Sequence, residues 1–250
     1  MKPSVQIAQN MKFRLGVGGH WSAHDLELLL ATILGPSGWK VSSRLEPNSK
    51  PTLNDASNHP EPLGFIEIVA LGDGLGASVE CLDHEELDAI VISPLAESTS
   101  LEDSRLVRRH LARFIRQLKP GGATIFAADD PASEIFSAIR LDCRRLGYGI
   151  ESGQAAFRID RCDHHEPMHD KAFRLISPTG KTDWPIASEM NESWQMALAA
   201  LATVDVLGLT SVTNALLSLT DIMNRSGLNP LMNLQPIASA QSIKTKPHTI

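Results

Sequence analysis

Near the N-terminus, Gly16-Val17-Gly18-Gly19-His20-Trp21-Ser22 brings glycines, an imidazole and a hydroxyl together in the layout of a phosphate loop. Glycines let backbone N–H groups approach an anion, and a helix starting near Ser22 would add the partial positive charge of its N-terminus. A loop that works on a nucleoside triphosphate also uses a Lys on the terminal phosphates and a Ser or Thr on magnesium. Here His20 stands where the Lys would be and Trp21 where the first hydroxyl would be. A neutral imidazole supplies no fixed charge and reaches less far than a lysine.

Other groups of reactive side chains are less well framed. Asp163-His164-His165-Glu166-Pro167-Met168-His169-Asp170 is the densest run of potential metal ligands, and its imidazoles and carboxylates could hold zinc or nickel. It falls between predicted strands, where a polar hairpin loop is the simpler reading. His20 and His24 are four apart, on one face of a helix, but no HExxH glutamate accompanies them, which favours a capping or surface role. Ser93 and Ser98 follow an apolar strand without the G-x-S-x-G frame of a nucleophile elbow. Leu71-Gly72-Asp73-Gly74-Leu75-Gly76 has the wrong spacing for a dinucleotide fingerprint and reads as a turn. Arg105, Arg108, Arg109, Arg113 and Arg116 give one helix a basic face, read first as solvated and second as a dock for an acidic partner.

The elements that would position these groups alternate between strand and helix. Apolar runs predict strands at Phe13–Val17, Trp39–Ser42, Phe65–Val69, Ala89–Ile92 and Ala123–Ala127. Leu26, Leu29, Leu30, Ile33 and Leu34 stripe a helix that ends at Gly35-Pro36. A second helix is predicted over Ser104–Leu118, stopped by Pro120-Gly121-Gly122. A third is predicted from Pro131 to Leu146, with Ile135, Phe136, Ile139 and Leu146 inward. Short antiparallel strands follow over Ala156–Ile186, turning at Pro178-Thr179-Gly180. Two long helices, Asn191–Leu207 and Ser211–Asn224, close the pattern. The expected fold class is α/β: a three-layer, mostly parallel sheet with a phosphate-loop-like first turn, a small antiparallel meander and closing helices. Residues 1–11 read as a loose lead-in, 43–63 as a flexible insertion rich in Pro, Asn, Ser and Asp, and 226–250 as a frayed tail.

Composition narrows the function classes. A net charge of −6 gives no basic face for nucleic acid, and a single Tyr with 5% aromatic residues gives no stacking platform for bases. Cys81, Cys143 and Cys162 are odd in number and widely spaced, so neither a disulfide framework nor a CxxC zinc site is indicated. No apolar run reaches the length of a membrane span and no signal-peptide core is seen, so the expectation is a cytoplasmic protein without membrane partners.

Several strings, in their order, resemble the central ATP-binding domain of the Mur ligase family over residues 12–225. That family includes the cell-wall precursor ligases, folylpolyglutamate synthase and the ligase half of cyanophycin synthetase. Lys119-Pro120-Gly121-Gly122-Ala123-Thr124-Ile125-Phe126-Ala127-Ala128-Asp129-Asp130-Pro131 is similar to the family's Gly-Gly turn, strand and Asn-x-Asp-Asp-Pro end. Phe65-Ile66-Glu67-Ile68-Val69-Ala70 is similar to the strand whose Glu helps hold magnesium. Leu146-Gly147-Tyr148-Gly149 and Phe173–Pro178 with Asn191–Leu209 resemble later elements.

The resemblance implies an enzyme that phosphorylates a carboxylate with ATP and magnesium, so that an amine can attack the acyl phosphate. It implies Gly16, Gly18, Gly19, His20, Ser22, Asp129 and Asp130 at the nucleotide and Glu67 at the metal. The departures fall on the chemistry. The family's loop Lys, its Asp-His pair, its carbamylated Lys near Leu111, its adenine-contacting Asn at Ala127 and its late His-Asn pair at Met190-Asn191 are not matched. The expectation is a chain without that family's substrate and C-terminal domains, which an active ligase would take from a partner chain. The expectation is a degenerate, non-catalytic relative that binds a ligand or partner. The alternatives are an ATP-dependent amide-bond ligase completed by a partner chain, and a metal-binding protein using His164, His165 and His169.

Overall fold

A computed structural model describes residues 11–19, 21–44, 52–53, 62–72, 86–94, 101–131, 133–138, 142–161, 173–184 and 192–226. Ten strands form one sheet: β1 (Met11–Gly18), β2 (Trp39–Arg44), β3 (Thr52–Leu53), β4 (Gly64–Gly72), β5 (Leu87–Ile92), β6 (Leu118–Ala127), β7 (Arg144–Gly149), β8 (Phe157–Arg161), β9 (Phe173–Ser177) and β10 (Gly180–Trp184). Their order is β10-β9-β8-β7-β6-β5-β1-β4-β2-β3. The pairings from β2 across to β8 are parallel, while β3 on one edge and β9 and β10 on the other run antiparallel. The expected parallel core with an antiparallel meander is therefore present.

Two apolar cores lie on opposite faces of the sheet, as the two-residue period of a strand requires. In β5, Ala89 and Val91 join one core and Leu87, Ile90 and Ile92 the other; in β4, Ile66 and Ile68 oppose Val69 and Leu71. The first core is covered by α1 (Ala23–Leu34), α4 (Glu192–Val206) and α5 (Val212–Ser226), the second by α2 (Leu101–Ile115) and α3 (Ser133–Ala138). In α4, Leu198 to Val204 are all buried, the signature of a helix enclosed on every side. Trp184 and Trp194 meet edge to face at 4.8 Å, and Phe173 lies 5.2 Å from Trp194, tying the meander to α4. Among the described residues, no helix is long and apolar enough to cross a membrane.

Three boundaries differ from the sequence reading. The second helix ends at Ile115, where Arg116 and Gln117 turn back onto Arg113 and Phe114. Leu118 and the Gly121-Gly122 pair belong to β6 instead, with Gly121 at φ 77°. Leu118 keeps the helical spacing from Leu111 although the chain has already become a strand. The third helix is only Ser133–Ala138; Leu146 lies in β7, and Ile135 is exposed while Phe136 is buried. Within 43–63, Ser43 and Arg44 continue β2, and Thr52–Leu53 pairs back on it as β3. The lead-in before Met11 and the tail after Ser226 lie outside the described residues.

Candidate functional site

The chain leaves β1 through α1 to reach β2 on one side, and later returns past β1 to reach β5 on the other. The crevice beyond the C-terminal ends of such strands is where open parallel sheets receive ligands. Here that end is built from Gly19, Trp21 and Ser22 after β1, Gly72 at the end of β4, Ser93 and Pro94 after β5, Asp129 and Asp130 after β6, and Ile150–Ser152 after β7.

The glycines of the first turn have separate reasons to be small. A Cβ on Gly16 would come 2.9 Å from Leu71 and 3.0 Å from Leu87; one on Gly18 would come 2.4 Å from Leu111. Both make room for side chains of the second core. Gly19 has φ 97°, a conformation that L side chains rarely adopt, and a Cβ there would lie 2.5 Å from Ser93 Oγ. His20 lies outside the described residues.

The Trp21 amide, the Ser22 hydroxyl and the Gly18 carbonyl are engaged internally. Trp21 N–H donates to Ser93 Oγ at 3.1 Å, and Ser93 N–H donates to Gly18 O at 3.0 Å. The Trp21 indole stacks on Tyr148, with centroids 5.7 Å apart and planes at 25°. Tyr148 is fully buried and its hydroxyl donates to Ile92 O at 2.8 Å, so the ring is fastened to the end of β5. Burial above all, and then the nearby carboxylates of Asp130 and Asp129, raise the Tyr148 pKa well above the ordinary tyrosine value. Ser22 caps α1: its hydroxyl accepts from His24 N–H at 3.1 Å.

Asp129 accepts from three backbone N–H groups of the next loop, Ile150 at 2.7 Å, Ser152 at 2.6 Å and Glu151 at 3.4 Å. Gly149 is small for this reason, since a Cβ there would meet the Asp129 carboxylate. Asp130 is buried and opens the turn to α3, its carbonyl accepting from Ser133 N–H.

Glu67 is not brought to this end. It pairs in register with Arg14, while Gly18 pairs with Gly72, five residues further along β4. At about 3.3 Å per residue, that is roughly 17 Å from the turn. Its carboxylate is held by Lys12 at 3.0 Å and Arg14 at 3.1 Å. A second charged cluster, missed in the sequence, lies on α1 and β2. Glu27, only 1% exposed, accepts from the Ser43 hydroxyl and lies 3.3 Å from His24 Nδ1.

The run holding His164, His165 and His169 lies outside the described residues. Among the described residues no group of three metal-ligating side chains is found. On α2, Arg109, Arg113 and Arg116 are exposed. Sequence reasoning named Trp21, Ser93 and Tyr148 but missed that they meet at the crevice. The one available signal was Ser93-Pro94 directly after the apolar run of β5.

No protein-family model matches the chain, and no curated protein matches it either. Solved structures do. A crystal structure of MurF from Acinetobacter baumannii aligns with a TM-score of 0.61 at 15% identity, covering 86% of this chain and 46% of that one. MurF from Thermotoga maritima in complex with ADP gives 0.60 at 12%, covering 82% and 48%. A pseudomurein peptide ligase type C from Methanothermus fervidus gives 0.56 at 14%, covering 85% and 50%. The chain spans about half the length of these structures.

Proposed function

We propose that this chain, whose fold is Mur-ligase-like, is a non-catalytic relative of a ligase-type central domain that acts by binding a ligand or a partner protein. The observation that carries this reading is the aromatic pair at the turn: Trp21 stands at the start of the loop and stacks on the buried Tyr148. In the Thermotoga relative the structure holds ADP. The residues here do not fit a magnesium–nucleoside triphosphate. The Ser22 hydroxyl is committed to capping α1, the Trp21 amide is committed to Ser93, and Glu67 is ion-paired far down the sheet. Gly72, with no side chain, is what β4 places beside Gly18. Phosphoryl transfer depends on fixed positive charge and on donors aimed at developing phosphate charge. The sequence puts His20 where the lysine of a phosphate loop would be, and the Trp21 amide already donates to Ser93.

Calorimetric titration of the purified chain with ATP, with and without magnesium, tests the reading. No heat up to about 1 mM nucleotide, where the binding free energy falls to about −4 kcal/mol, is the expected result. Micromolar binding without turnover would make the nucleotide the bound ligand; magnesium-dependent turnover that Glu67→Ala abolishes would overturn the reading in favour of a working ligase.

A further inference from the structure

We infer that Ser93 is a built-in substitute for the oxyanion that a glycine turn of this kind would otherwise hold, and that it is the residue excluding small oxyanions from the turn. The inference rests on the non-catalytic reading and assigns the exclusion to one side chain. Three independent contacts converge on Ser93. Its hydroxyl oxygen accepts the Trp21 N–H at 3.1 Å. Its own N–H donates to Gly18 O at 3.0 Å, which extends the β1–β5 ladder past the strand ends. Gly19, at φ 97°, turns directly against it, with no room for a Cβ between them.

The proton bookkeeping fits an acceptor role. The Ser93 hydroxyl donates to Pro94 O with the oxygens 3.3 Å apart, and its oxygen accepts from the Trp21 amide, as a phosphate oxygen would. Ser93 is 1% exposed, so this oxygen is part of the packed interior rather than a rotor in solvent. An oxyanion entering the turn must displace a neutral hydroxyl that already accepts from the Trp21 N–H and donates to Pro94 O. That entry costs a buried hydrogen-bond set and returns only what water exposure had not already supplied. A turn closed in this way keeps its shape with no ligand.

Backbone amide exchange and chemical shifts in the full chain test this, with inorganic pyrophosphate as the probe. In the wild-type chain the Trp21 amide should be protected, and about 1 mM pyrophosphate, a concentration that detects only sites with affinity near or below that value, should shift none of Gly18, Gly19 and Trp21. Ser93→Ala should speed Trp21 exchange by roughly five- to tenfold, the worth of one buried hydrogen bond. Ser93→Gly should let pyrophosphate shift the Gly19 and Trp21 amides; if that variant does not fold, Ser93→Ala carries the same measurement. Shifts of those amides in the wild-type chain would overturn this inference, while the non-catalytic reading, which allows a bound ligand, would stand. A silent wild type with equally silent, folded Ser93 variants would overturn the role of Ser93 and leave the non-catalytic reading standing.

Discussion

Trp21 and Tyr148 stack with ring centroids 5.7 Å apart and planes 25° from parallel, although they are separated by most of the chain. One belongs to the first turn and the other to β7, and the stack joins two strands that are not neighbours in the sheet. The contact makes the phenol a reporter for the crevice.

Tyr148 is the only tyrosine in the chain, so phenolate absorbance reads it alone. Burial raises its folded-state pKa well above the ordinary value, which is about 10 in an unfolded chain. The folded state therefore holds the proton where the unfolded state releases it. Stability from this group is complete below about pH 10 and is lost as pH rises above that value. Phenolate absorbance should appear together with unfolding rather than before it, and Tyr148→Phe should flatten the alkaline fall in stability.

Gly18 and Leu111 share one space. Gly18→Ala puts a methyl 2.4 Å from the Leu111 Cδ2 atom and should cost about 1–3 kcal/mol by overpacking. Leu111→Ala alone should cost about 2–5 kcal/mol as a cavity in the second core. The double variant should be more stable than the sum of the two by about 0.5–3 kcal/mol. Denaturant midpoints with unchanged slopes check it; strict additivity would mean the glycine is not there for Leu111.

Glu27 is buried on α1, and its carboxylate accepts from the Ser43 hydroxyl of β2. Glu27→Ala leaves that hydroxyl buried without its partner, at an expected cost of about 1–3 kcal/mol. Adding Ser43→Ala to that variant should then cost almost nothing further, because the orphaned group is gone. Chemical denaturation of the two variants and the pair decides it.

Asp129→Ala should loosen the loop after β7 by removing the acceptor of the Ile150, Glu151 and Ser152 amides. The loop is partly exposed and water replaces some of those bonds, so the expected loss is about 1–3 kcal/mol. Faster exchange confined to those amides is the checking measurement; unchanged protection would show that the loop holds itself.

Much of the fold was legible because the central strands are continuous apolar runs bounded by glycine, proline and polar residues. Two of the three boundary errors share one physical origin. Leu118 and Leu146 keep a helical spacing from the helix before them, but each is the apolar start or middle of a parallel strand, and spacing alone does not separate the two. At the site, the glycine turn was visible and its neighbours were not. Ser93 meets Trp21 across 72 residues and Glu67 meets Arg14 across 53, contacts that exist only once the register of β1 with β4 and β5 is set. A carboxylate in an apolar strand reads the same from sequence whether it will meet a cation on the next strand or a metal. The His24–Glu27–Ser43 cluster was hidden in the same way, since two of its members lie on a helix face and the third on a strand.

The position of α4 has a consequence for how the molecule is made. The core on the α1 face is closed by a helix that follows all ten strands in the chain. During synthesis the apolar undersides of β1, β4, β5 and β6 are translated first, and α1 alone covers part of them until residue 206 has been added. At about 5–20 residues per second, that wait is roughly 10–40 s from the first strand. For that interval part of the sheet's apolar face stays open to water.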